Sequence, residues 1–270
     1  MFILIAVLLW FLWFSDRYAW WKKNVDWRYP RILMYHMVSE PVPGAQFNGL
    51  RVSPSQFERQ VRWFSEQGWT FVTMSELIDK PCAEKTVALT FDDGFENNFS
   101  QALPILQKYG ARATLYLVND RHDRDWSVQK KAHHASGELM REPKLSDAQV
   151  RQMLDSGLIE LGGHTLTHAN LSRLSVDEKK HEIEVSKQQL ETLFDTRVTS
   201  FAYPFGIYDA AQDPVLVQAA GFATAVTTIE GITTDLHQQP FELKRIKISG
   251  KDSFFSFKTK VRCGRRSWRK

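Results

Sequence analysis

Short apolar runs alternate with helical patterns along most of the chain. RILMY, TVALTF, TLYLV and LIELG are typical of buried strands, because each is a compact, largely apolar run. In the segment SPSQFERQVRWFSEQG, Phe57, Val61 and Phe64 fall on one face of a predicted helix. This strand and helix alternation over more than 200 residues predicts an α/β protein with a mainly parallel sheet and helices outside it. The number of repeats favours a closed or nearly closed β/α barrel.

Helix-capping signals mark several of these segments. Ser53 can cap the first of them, with Gln56 placed for a capping box. Ser175 and Glu178 have the same spacing before the long run VDEKKHEIEVSKQQLETLF. Gly110 is expected to end the helix in ENNFSQALPILQKYG. The helices therefore have predicted ends as well as predicted faces.

The amino terminus differs from the rest of the chain. MFILIAVLLWFLWF is unbroken and apolar, and Tyr18, Trp20 and Trp21 follow as an aromatic belt of the kind found at membrane interfaces. It lacks the basic start and the small-residue cleavage site of a signal peptide. We therefore expect an uncleaved membrane anchor over residues 1–21, rather than a signal peptide. A linker over 22–30, a catalytic domain over 31–257 and a basic tail over 258–270 complete the predicted organisation.

Charge adds to this division of the chain. The net charge is +4, but residues 1–31 carry +3 and residues 258–270 carry +7, so the body between them is acidic. An acidic body argues against nucleic acid as the main partner. Basic ends suit an anionic membrane surface, although a solvated tail is an equal alternative. The two cysteines, Cys82 and Cys263, form no disulfide framework and are expected to be free thiols.

Polar residues follow the predicted strands at their carboxyl ends. Asp92 and Asp93 follow TVALTF, His164 follows LIELGG and His36 follows RILMY. In a β/α barrel these ends converge on one face, where the chemistry occurs. His164 and His168 are four residues apart in HTLTH, so both imidazoles can face one ion. An isolated histidine pair is a weak signal, but two histidines with one aspartate resemble a catalytic metal site with open positions.

The adjacent aspartates are expected to act differently. Neighbouring residues on an extended chain point to opposite sides. One aspartate could therefore bind the metal while the other accepts a proton from the attacking water, as in metal-assisted hydrolysis. The structural alternative is that one of them caps the helix that follows.

Three motifs, TFDDG, HTLTH and FAYPFG, together resemble the polysaccharide deacetylase family, the carbohydrate esterase group that shares the NodB homology domain. The resemblance covers about residues 30–257. It implies a distorted β/α barrel, complete or incomplete, that removes acetyl groups from sugars with the help of a divalent metal ion. By this resemblance Asp92 is the catalytic base, the Phe205 backbone N–H binds the oxyanion, and the metal ligands are Asp93, His164 and His168. Zinc is the first choice of metal, and cobalt or nickel also suits these ligands.

Two departures from the family pattern matter. Ala202 stands where the family usually has the arginine that orients the base, and Arg245 is the candidate replacement. Many members also have a late Leu-x-His that supplies the general acid, whereas here only His237 lies in the late region. LMYH near the start resembles instead the circularly permuted branch that deacetylates poly-β-1,6-N-acetylglucosamine, which makes His36 the candidate acid. The alternative for His36 is a core histidine bonded to the backbone.

The polar stretch from 119 to 144 has no clear periodicity, and long loops of this kind are usually functional or disordered. Trp126 could stack on a sugar ring there, and Tyr203 is the second candidate for substrate binding. His133 and His134 are rival metal ligands, but adjacent histidines diverge, which favours a solvated loop.

The sequence therefore predicts a metal-dependent enzyme that removes N-acetyl groups from an N-acetylated glycan. A sugar O-acetyl esterase and a non-catalytic glycan-binding protein on the same fold are the alternatives. We expect a bacterial-type inner membrane location. The side is open: Lys22 and Lys23 follow the apolar segment and favour a cytoplasmic body, whereas the permuted branch works outside the cytoplasm.

Overall fold

The structure is a computed structural model that describes residues 2–18, 20–80, 82–124 and 137–265. Its strands are β1 (Arg31–Tyr35), β2 (Met37–Val38), β3 (Arg51–Val52), β4 (Thr70–Val72), β5 (Thr86–Phe91), β6 (Ala113–Leu117), β7 (Ile159–Gly163), β8 (Ser200–Ala202), β9 (Thr224–Glu230) and β10 (Leu243–Lys247). Its α-helices are α1 (Phe2–Tyr18), α2 (Pro54–Glu66), α3 (Met74–Asp79), α4 (Leu103–Tyr109), α5 (Glu138–Arg141), α6 (Asp147–Asp155), α7 (Val176–Phe194), α8 (Asp213–Ala219) and α9 (Phe254–Cys263).

Within these residues, seven parallel strands close into a ring in the order β1-β10-β9-β8-β7-β6-β5, with β5 pairing back to β1. The predicted β/α barrel is therefore confirmed. It is distorted in two places. The β7–β8 junction has a single register pair, Gly163 with Phe201. The edge of β5 opposite β1 is shared, because β4 pairs with its first half and β6 with its second half.

The barrel interior is packed with side chains at the amino-terminal ends of its strands. Ile32, Ala88, Tyr116 and Leu243 belong to one buried cluster, and α3 contributes Met74 and Leu77 to the same cluster. The short helix α3 thereby closes this end of the barrel. Gly162 is required beside the Tyr116 ring, since a Cβ at this position would lie 2.5 Å from a ring carbon. The opposite end, where the strands carry their polar residues, is left for the site.

The outer helices follow the predicted patterns. Helix α2 buries Phe57, Val61 and Phe64, and the Ser53 hydroxyl accepts the Gln56 N–H at its start. Helix α7 begins with the predicted capping box, in which the side chains and backbone of Ser175 and Glu178 are bonded reciprocally. Burying one apolar face of each helix against the barrel forms the larger core.

Part of the predicted basic tail is helical. Residues 258–263 belong to α9, in which Lys260 and Val261 are buried against the body. The Lys260 ammonium donates to Asp252 Oδ2 at 2.7 Å and to the Lys247 carbonyl. Because this stretch is strongly basic, its amphipathic helix was not predicted from the sequence. The aliphatic and aromatic residues of that helix complete the core.

The predicted linker also packs on the body. The Val25 N–H donates to the Arg262 carbonyl at 2.9 Å. The Arg31 guanidinium, at the first position of β1, donates to the Val261 carbonyl at 2.8 Å. Trp27 packs edge-on against Trp69. Residues near 25–31 therefore join the end of α9 to the barrel.

The apolar amino terminus forms α1, and its large apolar side chains from Phe2 to Trp13 are exposed. None of the helices in the described part of the chain is both long and apolar enough to cross a membrane. The predicted spanning anchor is therefore not supported by the structure.

Candidate active site

Asp93, His164 and His168 come together at the carboxyl end of the barrel. Asp93 lies in the turn after β5, and the two histidines lie in the loop after β7. Asp93 Oδ1 is 3.3 Å from His164 Nε2 and 3.3 Å from His168 Nε2. All three side chains are buried, and their ligand atoms lie within 4.8 Å of one another. The structure thus brings the three predicted ligand residues together.

This arrangement fits a small divalent cation. Zinc bonds of about 2.0–2.1 Å in tetrahedral geometry separate ligand atoms by roughly 3.3 Å. The two measured carboxylate–imidazole distances of 3.3 Å match that spacing. Two imidazoles and one carboxylate also leave coordination positions for water or substrate, which is typical of catalytic rather than structural zinc.

The protonation states favour metal binding as well. Burial would raise the pKa of Asp93, but its close contacts with His164 and His168 outweigh that effect and hold this pKa well below the usual range. Burial lowers the pKa of His168, although Asp93 opposes that effect. An ionised carboxylate beside neutral imidazoles is the state that binds a cation.

A backbone carbonyl holds the His164 ring, and a glutamate holds the loop between the two histidines. His164 Nδ1 is 2.7 Å from the Ala202 carbonyl, so Nδ1 carries the proton and Nε2 faces Asp93. The loop between the histidines is held by Glu182 of α7, whose carboxylate accepts the Thr167 N–H at 3.0 Å and its hydroxyl at 2.7 Å. Glu182 could not be predicted from the sequence, because its partner Thr167 lies 15 residues earlier, outside α7.

Asp92 is held by a different group. Arg245 of β10 donates from Nη1 to Asp92 Oδ1 at 2.6 Å and from Nη2 to Oδ2 at 2.7 Å. The guanidinium is itself fixed by the Thr227 carbonyl at 2.8 Å and the Thr90 hydroxyl at 3.0 Å. Burial would raise the pKa of Asp92, but the charge and hydrogen bonds of Arg245 lower it overall. The geometry agrees with Arg245 as the replacement for the arginine absent at Ala202, and its role in catalysis stays a prediction.

Thr90 and Thr227, which hold the Arg245 guanidinium, were also not predicted as site residues. Thr90 lies on β5 and Asp92 directly follows this strand, two residues after Thr90, so the two side chains point to the same side of the extended chain. The spacing of two residues between Thr90 and Asp92 could have identified Thr90 from the sequence. Thr227 contributes its backbone carbonyl to Arg245, and no side-chain pattern could have revealed that contact.

His36 follows β1 directly beside the two aspartates. Strand β1 is in register with β5, with Tyr35 opposite Phe91, and the Asp92 N–H donates to the Tyr35 carbonyl at 3.0 Å. Burial lowers the pKa of His36, while the negative charges of Asp93 and Asp92 oppose that shift. His237, the rival for the general acid, is exposed in the loop between β9 and β10. His36 thus interacts with both aspartates of the described site.

Phe205 lies in a strained turn at the edge of the site. Its φ of +60° is left-handed, a conformation that is uncommon for a bulky residue. Its ring packs edge-on against His168 with centroids 4.3 Å apart. Asp93, Thr165 and His168 also have positive φ, so strained backbone is concentrated in this site. Such clustering is typical of functional sites.

Of the two predicted substrate-binding residues, only Tyr203 lies within the described residues. Its side chain is buried, stacks on Tyr208 with ring centroids 4.4 Å apart and donates to the Phe241 carbonyl, and its role in substrate binding stays a prediction. Its ring also packs edge-on against Phe201 in the buried core. Trp126, and the rival ligands His133 and His134, lie outside the described residues.

Comparisons with known proteins found a matching family model and several related proteins. The family model described as polysaccharide deacetylase matches residues 79–223, more than half of the chain. The Bacillus subtilis protein YxkH, provisionally named a polysaccharide deacetylase, is 30% identical over 240 residues, which cover 87% of this chain and 76% of that protein. Staphylococcus aureus proteins named poly-β-1,6-N-acetyl-D-glucosamine N-deacetylase are 26% identical over 62% of this chain, which spans 58% of their length. A solved Bacillus cereus polysaccharide deacetylase is 28% identical, with a TM-score of 0.72 and coverage of 87% of this chain and 69% of that one.

Proposed function

The chain belongs to the polysaccharide deacetylase family, and from this premise we propose that it removes N-acetyl groups from an N-acetylglucosamine-type polymer or glycoconjugate. Membership makes it a hydrolase of acetylated carbohydrates. The observation that carries the finer proposal is the buried Asp93, His164 and His168 cluster beside an aspartate held by Arg245. The relatives named as poly-β-1,6-N-acetyl-D-glucosamine N-deacetylases support the choice of substrate, although this chain spans only part of their length.

The metal ligands in this proposal are Asp93, His164 and His168. A divalent cation held there, with zinc as the first choice, would polarise the acetyl carbonyl and lower the pKa of a water molecule. The buried histidines and the Ala202 contact orient the donor atoms before the substrate arrives. The protein thus supplies a preorganised site rather than one assembled on binding.

The proton transfers are assigned to Asp92 and His36. Asp92 accepts a proton from the attacking water, since Arg245 keeps its carboxylate ionised and fixed in orientation. As the water oxygen bonds to the acetyl carbon, the Phe205 N–H donates to the developing oxyanion. His36 then donates a proton to the departing nitrogen as the carbon–nitrogen bond breaks, which yields acetate and a free amine. Burial lowers the pKa of His36, and the negative charges of Asp93 and Asp92 oppose that shift only in part.

Two alternative functions can be separated from N-deacetylation by experiment. The same site could hydrolyse O-acetyl esters, and a non-catalytic glycan-binding protein could retain the same fold. The assay measures both acetate and new primary amines from poly-β-1,6-N-acetylglucosamine and from O-acetylated glycans, with Asp92→Asn as the matched control. Acetate with equal new amine supports N-deacetylation. Acetate from esters alone supports the esterase, and no product from metal-loaded protein on any of these glycans supports the binding protein.

We also propose that the protein works at a bacterial cell membrane, with the apolar side chains of α1 in lipid. The exposed fraction of these side chains ranges from 45% at Phe11 to 84% at Phe2. Soluble proteins rarely expose a contiguous apolar surface of this kind to water. The side of the membrane stays a prediction, because the basic residues after α1 and the resemblance to the permuted branch point in opposite directions.

A further inference from the structure

A cleft of about 620 Å³ separates the second half of α1 from one face of α9. None of the described residues that line it belongs to the candidate active site. The residues that line it are aromatic or basic, apart from one threonine: Trp10, Phe11, Phe14, Trp20, Phe255, Lys258, Thr259 and Arg262.

The α9 wall of this cleft is one continuous helix face. Phe255, Lys258, Thr259 and Arg262 are spaced three, one and three residues apart, which places them on the same side of the helix. The opposite side packs into the core through residues such as Phe257 and Val261. The helix therefore packs Phe257 and Val261 against the body and presents two cations and the Phe255 ring to the cleft.

The α1 wall is aromatic. Trp10 stacks on Phe14 with centroids 5.3 Å apart, and Phe14 meets Phe255 of α9 at 5.9 Å. Arg262 Nη2 donates to the Trp20 carbonyl at 2.6 Å, which ties the chain after α1 to α9. These contacts shape the cleft and leave its aromatic wall continuous with the exposed apolar residues of α1.

The positive charge of the cleft favours an anionic ligand. Among the described residues that line it there are two cations, Lys258 and Arg262, and no acid. The Arg262 Nε–H is buried and has no acceptor in the described part of the chain, so the protein does not use all the donors of this guanidinium. A ligand that matches these walls has an anionic head and an apolar body.

We propose that the cleft binds one anionic phospholipid, with its phosphate between Lys258 and Arg262 and its acyl chains along Trp10, Phe11 and Phe14. This inference rests on the membrane contact proposed above for α1. A lipid fits better than a soluble anion, because the aromatic wall leads directly onto the apolar surface of α1. The cleft would then give the membrane contact a preference for anionic lipid.

Vesicle flotation of the full chain tests this inference. Binding is compared between phosphatidylcholine vesicles and vesicles that also contain phosphatidylglycerol. The double variant Lys258→Gln/Arg262→Gln is expected to lose about 30-fold in affinity for the mixed vesicles, at about 1 kcal/mol per cation near the surface, and to bind neutral vesicles unchanged. The control Arg173→Gln/Lys180→Gln removes two exposed cations of the body and is expected to retain the preference. Lys258→Glu alone provides a second test if the double variant fails to fold.

Each remaining outcome overturns a specific statement. A wild-type protein that binds both vesicle types equally, or a control that loses as much as the cleft variant, refutes the lipid site but leaves the membrane contact. A wild-type protein that binds neither type refutes the membrane contact itself. A stable dimer by light scattering that Trp10→Ala dissociates would show that a second copy fills the cleft, and this too refutes the lipid site.

Discussion

Replacing Arg245 with methionine is expected to damage stability and catalysis together. Arg245 is 1% exposed and Asp92 is 3% exposed, and the two are joined by two short charge-assisted hydrogen bonds. Removing one partner of a buried ion pair leaves an uncompensated charge, which typically destabilises a protein by about 3–5 kcal/mol. The loss of Arg245 also leaves the Asp92 carboxylate free to reorient. A correctly placed base typically increases the catalytic rate about 10²- to 10⁴-fold.

The pH dependence gives this prediction its sign. In the wild type, burial raises the pKa of Asp92 but Arg245 outweighs it, so the folded pKa lies below the unfolded value of about 3.9. The pair therefore stabilises the fold above that pH, and this stabilisation is lost as the pH falls through the folded pKa. In the variant, Arg245 no longer outweighs burial and only weaker histidine contributions oppose it, so we expect the pKa of Asp92 to rise. The stability gap between the two proteins should then be widest near neutral pH and narrow towards pH 4 and below.

Urea unfolding at neutral and acidic pH measures this gap, and kcat/KM against pH measures the base. The acidic limb of the rate profile should shift to higher pH in Arg245→Met, because a base with a raised pKa is protonated over more of the range. Arg245→Lys is the matched control, since it keeps the charge but loses the bidentate fork, and we expect an intermediate effect. A stability gap that does not change with pH, or a variant with wild-type kcat/KM and an unshifted limb, would refute the reasoning.

Four further predictions concern the remaining groups. Alanine at any one proposed metal ligand should remove metal as well as activity, and full occupancy by elemental analysis would exclude that residue: Asp93, His164 or His168. Asp92→Asn should keep its metal and lose about 10²- to 10⁴-fold in turnover, and near wild-type turnover would mean that another group is the base. His36→Ala should lower turnover more than metal content, whereas damage from His237→Ala with a silent His36→Ala would reverse the assignment of the acid. Deleting residues 1–21 should release a folded domain from membranes, and a carboxyl-terminal reporter active on only one side would decide its orientation; a full-length protein that is already soluble would contradict the membrane contact.

The strand and helix pattern could be predicted because it depends on neighbours in the chain. TVALTF became β5 and the Ser175 cap formed as expected, since side-chain alternation and capping involve residues only a few positions apart. The metal cluster was also within reach, because strand ends of a parallel barrel converge whatever the details of packing. One of the two aspartates and the HTLTH histidines could therefore be placed together from the sequence, and the choice of Asp93 came from the family resemblance.

Other features depended on contacts between distant segments. Arg245 was a candidate from the sequence, but its bidentate contact with Asp92 joins residues 153 positions apart. Glu182 holds the HTLTH loop only because α7 packs beside it. The burial of Tyr203 follows from its contact with Tyr208 and the Phe241 carbonyl. None of these contacts leaves a periodic trace in the residues around it.

The two ends of the chain show the same division most clearly. Composition alone correctly found an apolar start and a basic finish. Only the folded chain placed residues 258–263 in a helix that buries Lys260 and Val261, and set that helix beside α1 to form the aromatic cleft. Local patterns determine secondary structure because they act through the backbone nearby. Burial and pairing are decided by which distant surfaces exclude water together, and that depends on the whole tertiary structure.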